Sequence, residues 1–203
     1  MFGDDFLQRA MLFGPIILFS LTVHEFAHAW SAHKFGDDTA RRLGRMSLNP
    51  LVHLDLFGTI VMVMSGFRFG WAKPVPVNPF NLRNPRKADL WISAAGPISN
   101  ILIALAAGLV YRVAGGFAGN EALDSIFTYA VQINITLAIF NLLPLFPLDG
   151  SHILRTLLPP RYEPLLEQFS RFAPFVLILL VVTGALWLII GPPIILVSRF
   201  ILY

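Results

Sequence analysis

Long apolar stretches alternate with shorter polar segments along the chain. An apolar stretch of about 20 residues is long enough to cross the hydrocarbon core of a membrane as a helix. Four stretches have about that length and predict spanning helices, over residues 8–33, 90–113, 126–146 and 172–190. Neither a repeat of solenoid length nor a long polar insertion interrupts them, so the pattern predicts one domain over residues 1–203.

A fifth apolar stretch, residues 54–69, is too short for a full crossing and predicts a re-entrant or half-spanning element. It is followed by Pro-Val-Pro-Val-Asn-Pro at residues 74–79, where the prolines prevent a continuing helix. The alternation of Val75 and Val77 with prolines indicates an extended edge. The predicted fold is an all-α polytopic membrane protein with about four to six transmembrane helices and a small re-entrant or membrane-associated β element.

The two ends of the chain extend this pattern. The N-terminal residues lack a basic segment, and no small-residue cleavage site follows the first apolar run, so this run is predicted to be a retained span. Residues 194–203 are too short to span a membrane alone. They predict a continuation of the fourth span after a break at Gly191-Pro192-Pro193.

The composition agrees with a membrane location. With 56% hydrophobic and 13% charged residues, the chain has more apolar surface than one soluble core can bury. It contains no cysteine, which excludes disulfides and thiolate ligands. Any bound metal must therefore be held by imidazole nitrogen and carboxylate oxygen atoms.

Basic residues are concentrated in one loop. Nine of the fifteen lysines and arginines lie between Lys34 and Lys87, and the positive-inside rule predicts that this loop is cytoplasmic. The N-terminus and the glycine-rich loop at residues 115–120 are then predicted to lie outside. The cluster of Lys34, Arg41, Arg42 and Arg45 shows no aromatic interleaving, so it indicates a solvated face toward lipid headgroups and not a nucleic-acid site.

One polar motif, His24-Glu25-Phe26-Ala27-His28, lies inside the first predicted span, and Glu25 alone among the four glutamates is embedded in a hydrophobic stretch. A charged group in the middle of a membrane helix costs at least about 2.5 kcal/mol, so such groups usually serve a function. On a helix His24 and His28 share one face, while Glu25 is turned by about 100°. The motif predicts two imidazole ligands and an adjacent base. The competing interpretation is a helix interface in which both histidines hydrogen-bond to neighbouring helices.

A third ligand would complete a catalytic zinc site, which usually leaves its fourth position to water. Asp149 is the leading candidate because it follows an apolar span at the same predicted depth, and Gly150 after it has wide backbone freedom. Zinc would lower the pKa of water to about 7, and Glu25 would take the proton and later deliver it to the leaving amine. The alternative for Asp149 is a cap or a salt bridge at the membrane boundary.

Three motifs together resemble the site-2 protease family of intramembrane zinc metalloproteases. They are His24-Glu25-Phe26-Ala27-His28, Ala95-Gly96-Pro97-Ile98-Ser99-Asn100, and Asn141-Leu142-Leu143-Pro144-Leu145-Phe146-Pro147-Leu148-Asp149-Gly150. Residues 48–55 and 70–79 further resemble the compact prokaryotic branch of that family.

The resemblance implies that His24, His28 and Asp149 hold zinc and that Glu25 is the catalytic base. It also implies hydrolysis of peptide bonds within or beside a membrane-spanning substrate. Unlike larger members of the family, this chain contains neither a PDZ-like insertion nor a nucleotide-sensing extension.

Five further polar residues have two interpretations each. Asn100 is a candidate for binding substrate backbone or the oxyanion, or for helix packing. Asn141 resembles the substrate-contacting asparagine of the family, with helix capping as the alternative. His53 is predicted to support the site in preference to holding a turn. Asp55 is predicted to cap a helix. For His152 a surface position is favoured over a role in orienting the site.

The extended segment around residues 71–78 also has two interpretations. An exposed strand edge there would pair with an unwound substrate, because a helical peptide bond is shielded from attack. The alternative is a loop packed over the catalytic chamber.

The sequence therefore predicts an integral-membrane zinc endopeptidase with one Zn²⁺ per chain, which cuts transmembrane protein substrates in or next to their membrane segments. Its environment is the lipid bilayer of a bacterial or archaeal inner membrane, with the active site toward the cytoplasm. Nucleic acid is not an expected partner.

Two other classes of protein would also place polar residues at membrane depth. A divalent-metal transporter or a non-catalytic metal sensor needs histidines and carboxylates there. Transport, however, requires polar residues on both sides of the metal, and residues 102–110 are almost purely apolar. A scaffold that binds other spans through glycine and alanine faces has no use for the combination of two histidines and two carboxylates.

Overall fold

The computed structural model describes residues 4–64 and 70–203, with side chains described from residue 10 onward. Within these ranges the chain is mainly helical. Its α-helices are α1 (Asp4–Lys34), α2 (Thr39–Arg42), α3 (Leu56–Met64), α4 (Pro85–Val113), α5 (Glu121–Asn141), α6 (Asp149–Leu157), α7 (Glu163–Ser170), α8 (Ala173–Val182) and α9 (Ala185–Leu202).

Four of these helices are long and apolar enough to cross a membrane: α1 from Ala10 onward, α4, α5 and α9. The segments Pro160–Ser170 and Ala173–Val182 form a pair bent by 54°, which is a candidate for a fifth crossing. The all-α polytopic class is therefore confirmed for the described residues, and the number of candidate spans lies within the predicted range.

Side-chain caps explain where two of the spanning helices begin. The Asn84 side chain accepts a hydrogen bond from the Lys87 backbone N–H at 3.2 Å, and the Asn120 side chain accepts one from Leu123 at 3.1 Å. Such caps satisfy N–H groups that have no partner inside the helix. At its other end, α5 stops at Asn141 instead of continuing to residue 146, because Pro144 disfavours helical backbone in the residues before it.

The fourth predicted span, residues 172–190, is wrong. The structure divides it between α8 and α9 at Gly184, whose φ of 75° lies in the left-handed region that glycine adopts readily. The break predicted at Gly191-Pro192-Pro193 is also wrong, since α9 runs through both prolines. Spanning helices tolerate proline where neighbouring helices support them, and α9 packs against α4 and α5.

The helix α4 lies at the centre of the packing and contacts α1, α5, α6 and α9. An apolar core joins α4, α5 and α9, and includes Ala104, Val131, Ile135 and Ile190. On the α1 side, α4 buries polar groups instead, among them Asn100, which is fully buried. The polar face of α4 therefore determines where chemistry is possible.

The predicted β element is not shown. In the described part of the chain, residues 70–78 form one isolated antiparallel bridge, between Leu54 and Ala72, and no strand. Prolines 74 and 76 lack the N–H donors that a ladder needs. Of the predicted re-entrant stretch 54–69, residues 65–69 lie outside the described residues, and α3 occupies most of the rest. Asp55 accepts a hydrogen bond from the Gly58 N–H at 2.9 Å, which confirms it as the cap of α3.

Two buried charged residues hold this extended segment: Asp37, which follows α1, and Arg45, which follows α2. Arg45 donates hydrogen bonds to the carbonyl oxygens of Lys73 and Pro74. The side chain of Arg45 is buried, so its predicted position at the lipid headgroups is wrong. Asp37 accepts hydrogen bonds from the Asn78 backbone N–H at 2.7 Å and from the Asn81 amide at 2.8 Å. The segment between Lys73 and Asn78 is thus held at both ends.

Asp37 makes its contacts as a carboxylate. Burial alone would raise its pKa, but hydrogen bonds from Asn81, Thr39 and Asn78 outweigh burial and lower the pKa below the ordinary value of 3.8. A carboxylate with several such donors is stabilised in its charged form.

Replacement of Asp37 by alanine should lower the free energy of unfolding by about 2 to 3 kcal/mol, because buried donors lose a charged acceptor. Thermal unfolding in detergent, followed by tryptophan fluorescence, measures the effect. The matched control is Asp38→Ala, whose half-exposed carboxylate pairs with His33 and should contribute at most about 1 kcal/mol. Equal losses in the two variants would contradict the assignment.

The same contribution should depend on pH. Because the folded-state pKa is lowered, the stabilisation is fully present above pH 3.8 and disappears as the pH falls through the lower folded value. The difference in unfolding free energy between the unmodified protein and Asp37→Asn should therefore shrink below about pH 4.

Candidate metal centre

Three side chains from two helices converge on one point. His24 and His28 lie one turn apart on α1, and Asp149 is the first residue of α6. The two Nε2 atoms are 3.0 Å apart, and Asp149 oxygens lie 3.3 Å from His24 Nε2 and 3.4 Å from His28 Nε2. Among the described residues these three form a cluster able to hold a metal ion.

The other ring nitrogens of the two histidines face acceptors. His28 Nδ1 lies 2.7 Å from the Ile92 carbonyl oxygen, and His24 Nδ1 lies 2.7 Å from the Asn100 side-chain oxygen. Because a carbonyl oxygen can only accept, each Nδ1 carries a proton, and in a neutral ring Nε2 is then unprotonated. Both Nε2 atoms then present lone pairs toward each other and toward the carboxylate of Asp149.

A cation between these lone pairs would remove their mutual repulsion. Ligands about 2.0 to 2.1 Å from a tetrahedral zinc ion are about 3.3 Å apart, close to the separations found here. Asp149 Oδ2 is buried and accepts no hydrogen bond from any described residue, so it is available as a ligand. Two imidazoles and one carboxylate are a donor set that suits zinc. The residues present therefore fit the predicted ion.

Gly96 allows α4 to approach the histidines. A Cβ at this position would lie 2.4 Å from His28 Nε2 and 2.5 Å from His24 Cε1, which is closer than atoms in contact can be. The backbone of α4 therefore forms one wall of the metal centre.

Gly150 has a similar function beside Asp149. A Cβ there would lie 2.2 Å from the Leu142 carbonyl oxygen. The predicted reason for glycine, backbone freedom, is wrong, because Gly150 has helical backbone. Glycine is needed here because the turn after α5 packs against α6 in the space that a side chain would occupy. This close contact positions Asp149 opposite the histidines.

Glu25 follows His24 on α1 and is 9% exposed. Its carboxylate makes no hydrogen bond within the described part of the chain. Both of its oxygens are therefore free of protein hydrogen-bond donors among the described residues.

Of the three residues predicted to support the site, the structure brings only Asn100 to it. Asn141 donates a hydrogen bond to the Leu137 carbonyl at 2.9 Å, one turn back on its own helix. His53 is buried, with Nε2 2.7 Å from the Ser47 carbonyl, and has no contact with the metal ligands. His152 forms an ion pair with Asp89 at 3.4 Å and is partly exposed.

A cavity of about 590 Å³ lies between α4, α6 and α7. Its lining includes Val77, Asp89, His152 and Glu163. His152 is three residues beyond Asp149 on α6, about 4.5 Å of helix rise, while His24, His28 and Asp149 are not among the residues that line the cavity.

Some residues of the site were not identified from the sequence. The Ile92 carbonyl that faces His28 is a backbone group, so the type of residue at this position does not indicate the contact. Asn134 on α5 is fully buried and donates to the Ser20 hydroxyl at 2.9 Å. Its signal was available, because an amide inside an apolar span is itself unusual.

Comparisons with known proteins agree with the geometry. The model of Peptidase family M50 matches residues 111–184, which include Asp149 but not the two histidines. Over 190 residues the chain is 44% identical to the protein named "Putative zinc metalloprotease YwhC" of Bacillus subtilis (strain 168), covering 89% of this chain and 86% of that protein. The chain belongs to peptidase family M50. This membership confirms the resemblance to the site-2 proteases and favours a peptidase over a transporter, a sensor or a scaffold.

More distant relatives of this M50 chain have similar names. The chain is 26% identical over 174 residues to "Putative zinc metalloprotease Rip2" of Mycolicibacterium smegmatis (strain ATCC 700084 / mc(2)155), covering 83% of this chain and 66% of that protein. It is 27% identical over 155 residues to "Zinc metalloprotease MJ0392" of Methanocaldococcus jannaschii, covering 75% of this chain and 36% of the longer relative. No solved structure matches the chain.

Replacement of Gly96 by alanine should weaken zinc binding by about 10- to 100-fold, because the added methyl group displaces the imidazoles from their orientation. The measurement is competition for zinc with a coloured chelator in detergent. Gly108→Ala is the matched control on the same helix: its Cβ would lie 2.2 Å from Ile201, far from the metal centre. An equal loss of zinc affinity in Gly108→Ala would show that general destabilisation is the cause.

Proposed function

We propose that this M50 peptidase hydrolyses peptide bonds in or next to transmembrane segments of membrane proteins, as regulated intramembrane proteolysis requires. His24, His28 and Asp149 hold one zinc ion per chain, and Glu25 is the catalytic base. The observation that supports this function most is that Asp149 of α6 converges with His24 and His28, which lie beside Glu25 on a helix long enough to span a membrane.

The chemistry divides between the ion and the protein. Zinc, when bound by the three ligands, supplies a Lewis acid that polarises oxygen and lowers the pKa of water. Glu25 accepts a proton from the attacking water and delivers it to the nitrogen of the leaving amine. Asn100 and the Ile92 carbonyl orient the imidazoles through their Nδ1 protons, as partners of metal-binding histidines generally do.

Water and products require a route to this buried site. We assign that role to the cavity beside α6, because its partly polar lining includes Asp89 and His152, and His152 lies three residues beyond Asp149 on the same helix. The basic loop that ends at Lys87 lies just before Asp89 in the sequence. By the positive-inside rule, this supports an opening of the cavity toward the cytoplasm. The proposed location is accordingly a bacterial or archaeal inner membrane, and residues 1–203 act as one catalytic domain.

The segment from Lys73 to Asn78 is proposed to bind the substrate. Arg45 and Asp37 hold its two ends. Between them, the backbone N–H groups of Val75 and Val77 have no hydrogen-bond partner among the described residues. An unwound substrate segment would pair with these groups as an added strand, which exposes a peptide bond that a helix would shield.

Replacement of Glu25 by glutamine should reduce cleavage of a membrane-protein reporter by at least about 1,000-fold, because the neutral amide cannot accept the proton. The zinc content, measured on the same purified protein, should remain close to one ion per chain. Glu167→Gln, a change of the same type at an exposed position of α7, should leave cleavage within a few-fold of the unmodified protein. Undiminished cleavage by Glu25→Gln would contradict the mechanism.

Replacement of Val75 by proline should slow reporter cleavage by about 10-fold, the equivalent of one lost hydrogen bond of about 1.4 kcal/mol. Val75→Ala removes most of the side chain but keeps the N–H, and it should stay within about 3-fold of the unmodified rate. The measurement is initial rates in liposomes at equal zinc occupancy. Equal rates for the two variants would refute strand pairing at this position.

A further inference from the structure

A chain of buried polar groups connects three spanning helices behind His24. Ser20 on α1, Asn134 on α5 and Asn100 on α4 are all fully buried. Asn134 donates to the Ser20 hydroxyl at 2.9 Å and accepts from the Asn100 amide at 2.9 Å, and the Asn100 oxygen lies 2.7 Å from His24 Nδ1. The imidazole of His24 is thus the end of a continuous hydrogen-bonded chain.

Backbone carbonyls determine the direction of every bond in this chain. The Ser20 hydroxyl donates to the Ile16 carbonyl at 2.8 Å, so its oxygen is left to accept from Asn134. The Asn134 NH₂ group also donates to the Ala130 carbonyl at 2.8 Å. Because carbonyls can only accept, the NH₂ of Asn134 must point toward Ser20 and Ala130, and its oxygen must point toward Asn100.

The same logic continues to the metal centre. The Asn134 oxygen accepts from the Asn100 NH₂, which also lies 3.4 Å from the Ser20 carbonyl. The Asn100 oxygen must therefore face His24, and it requires a proton on His24 Nδ1. If Asn100 were rotated by 180°, its NH₂ would face Nδ1 and would favour the tautomer protonated at Nε2. That tautomer has no lone pair on Nε2, the nitrogen that faces the candidate metal centre.

We infer that Asn134 is a positioning residue that selects the metal-binding tautomer of His24 by fixing the orientation of the Asn100 amide. The inference rests on the proposed function only in that His24 is a zinc ligand. Ser20 supports Asn134, but the Ala130 carbonyl alone is sufficient to direct the Asn134 amide. No other described contact distinguishes the two ends of the Asn100 amide as strongly.

Substitutions of Asn134 distinguish a purely structural role from selection of the His24 tautomer. A leucine of similar size would fill the same space in the apolar core and avoid the cost of a buried amide. Aspartate would present an oxygen to the Asn100 NH₂ in either protonation state. Packing therefore favours leucine, whereas selection of the tautomer favours aspartate.

The experiment compares zinc affinity and histidine tautomers in full-length protein in detergent. Zinc affinity is measured by chelator competition, and the metal-free protein with ¹⁵N-labelled histidine rings is examined by NMR. Asn134→Leu and Asn134→Ala should each bind zinc about 10- to 100-fold more weakly and should show increased Nε2 protonation of one ring. Asn134→Asp should restore affinity to within a few-fold and keep Nδ1 protonated.

The control is Val131→Ala, which opens a cavity in the apolar core on the same helix and removes none of the hydrogen bonds of the polar chain. Zinc affinity in Asn134→Leu equal to that of the unmodified protein, or a loss matched by Val131→Ala, would overturn the inference. A result in which aspartate is as poor as leucine and alanine would also overturn it. If the unmodified protein itself failed to bind zinc, the proposed metal centre would be wrong, and the role of Asn134 with it.

Discussion

The arrangement of α1, α4 and α6 depends on one constraint: both imidazoles hold a proton on Nδ1, the nitrogen that faces away from the candidate metal centre. The Ile92 carbonyl and the Asn100 oxygen occupy the Nδ1 positions, so His24 and His28 direct only lone pairs inward, toward the carboxylate of Asp149. Like partial charges in a buried space repel unless a cation lies between them. The packing of α4 against α1, and of α6 against α4, is therefore coupled to metal binding, and Gly96 and Gly150 are the places where the backbones approach closely enough to permit it.

The ligand cluster was predictable because it depends on periodicity and topology. Residues four apart on a helix share a face, and a polar residue after an inward-running span returns to the level of the first motif, which is how Asp149 was matched with His24 and His28. The partners of the imidazoles were not predictable in the same way. The contact of Asn100 with His24 depends on the rotation of α4 about its axis, and Ile92 contributes a backbone atom that every residue type has. His53 and Asn141 illustrate the converse, since their residue types suggested chemistry while the structure gives them local hydrogen bonds.

Predictions about the fold failed where hydropathy, proline or charge was considered along the sequence alone. Hydropathy alone joined α8 to α9, whereas Gly184 turns the chain between them. The prolines in α9 were expected to break a helix that packing against α4 and α5 maintains. Arg45 belongs to a basic cluster that the charge pattern places at the surface, yet it is buried because the carbonyls of Lys73 and Pro74 are available as acceptors. For the prolines of α9 and for Arg45 the deciding contacts are distant in sequence, whereas at Gly184 the backbone conformation of one residue decides.

The attachment of residues 73–78 at both ends has a consequence for the choice of substrate. If this segment pairs with the substrate as proposed, an edge already held at both ends loses little conformational entropy, so most of the ordering cost of the complex falls on the substrate. The substrate must also give up helical hydrogen bonds before it can pair, and this cost varies by up to about 1 kcal/mol per residue with helix propensity. Selection among membrane proteins would then follow the ease with which a segment unwinds, more than the identity of the side chains beside the cut.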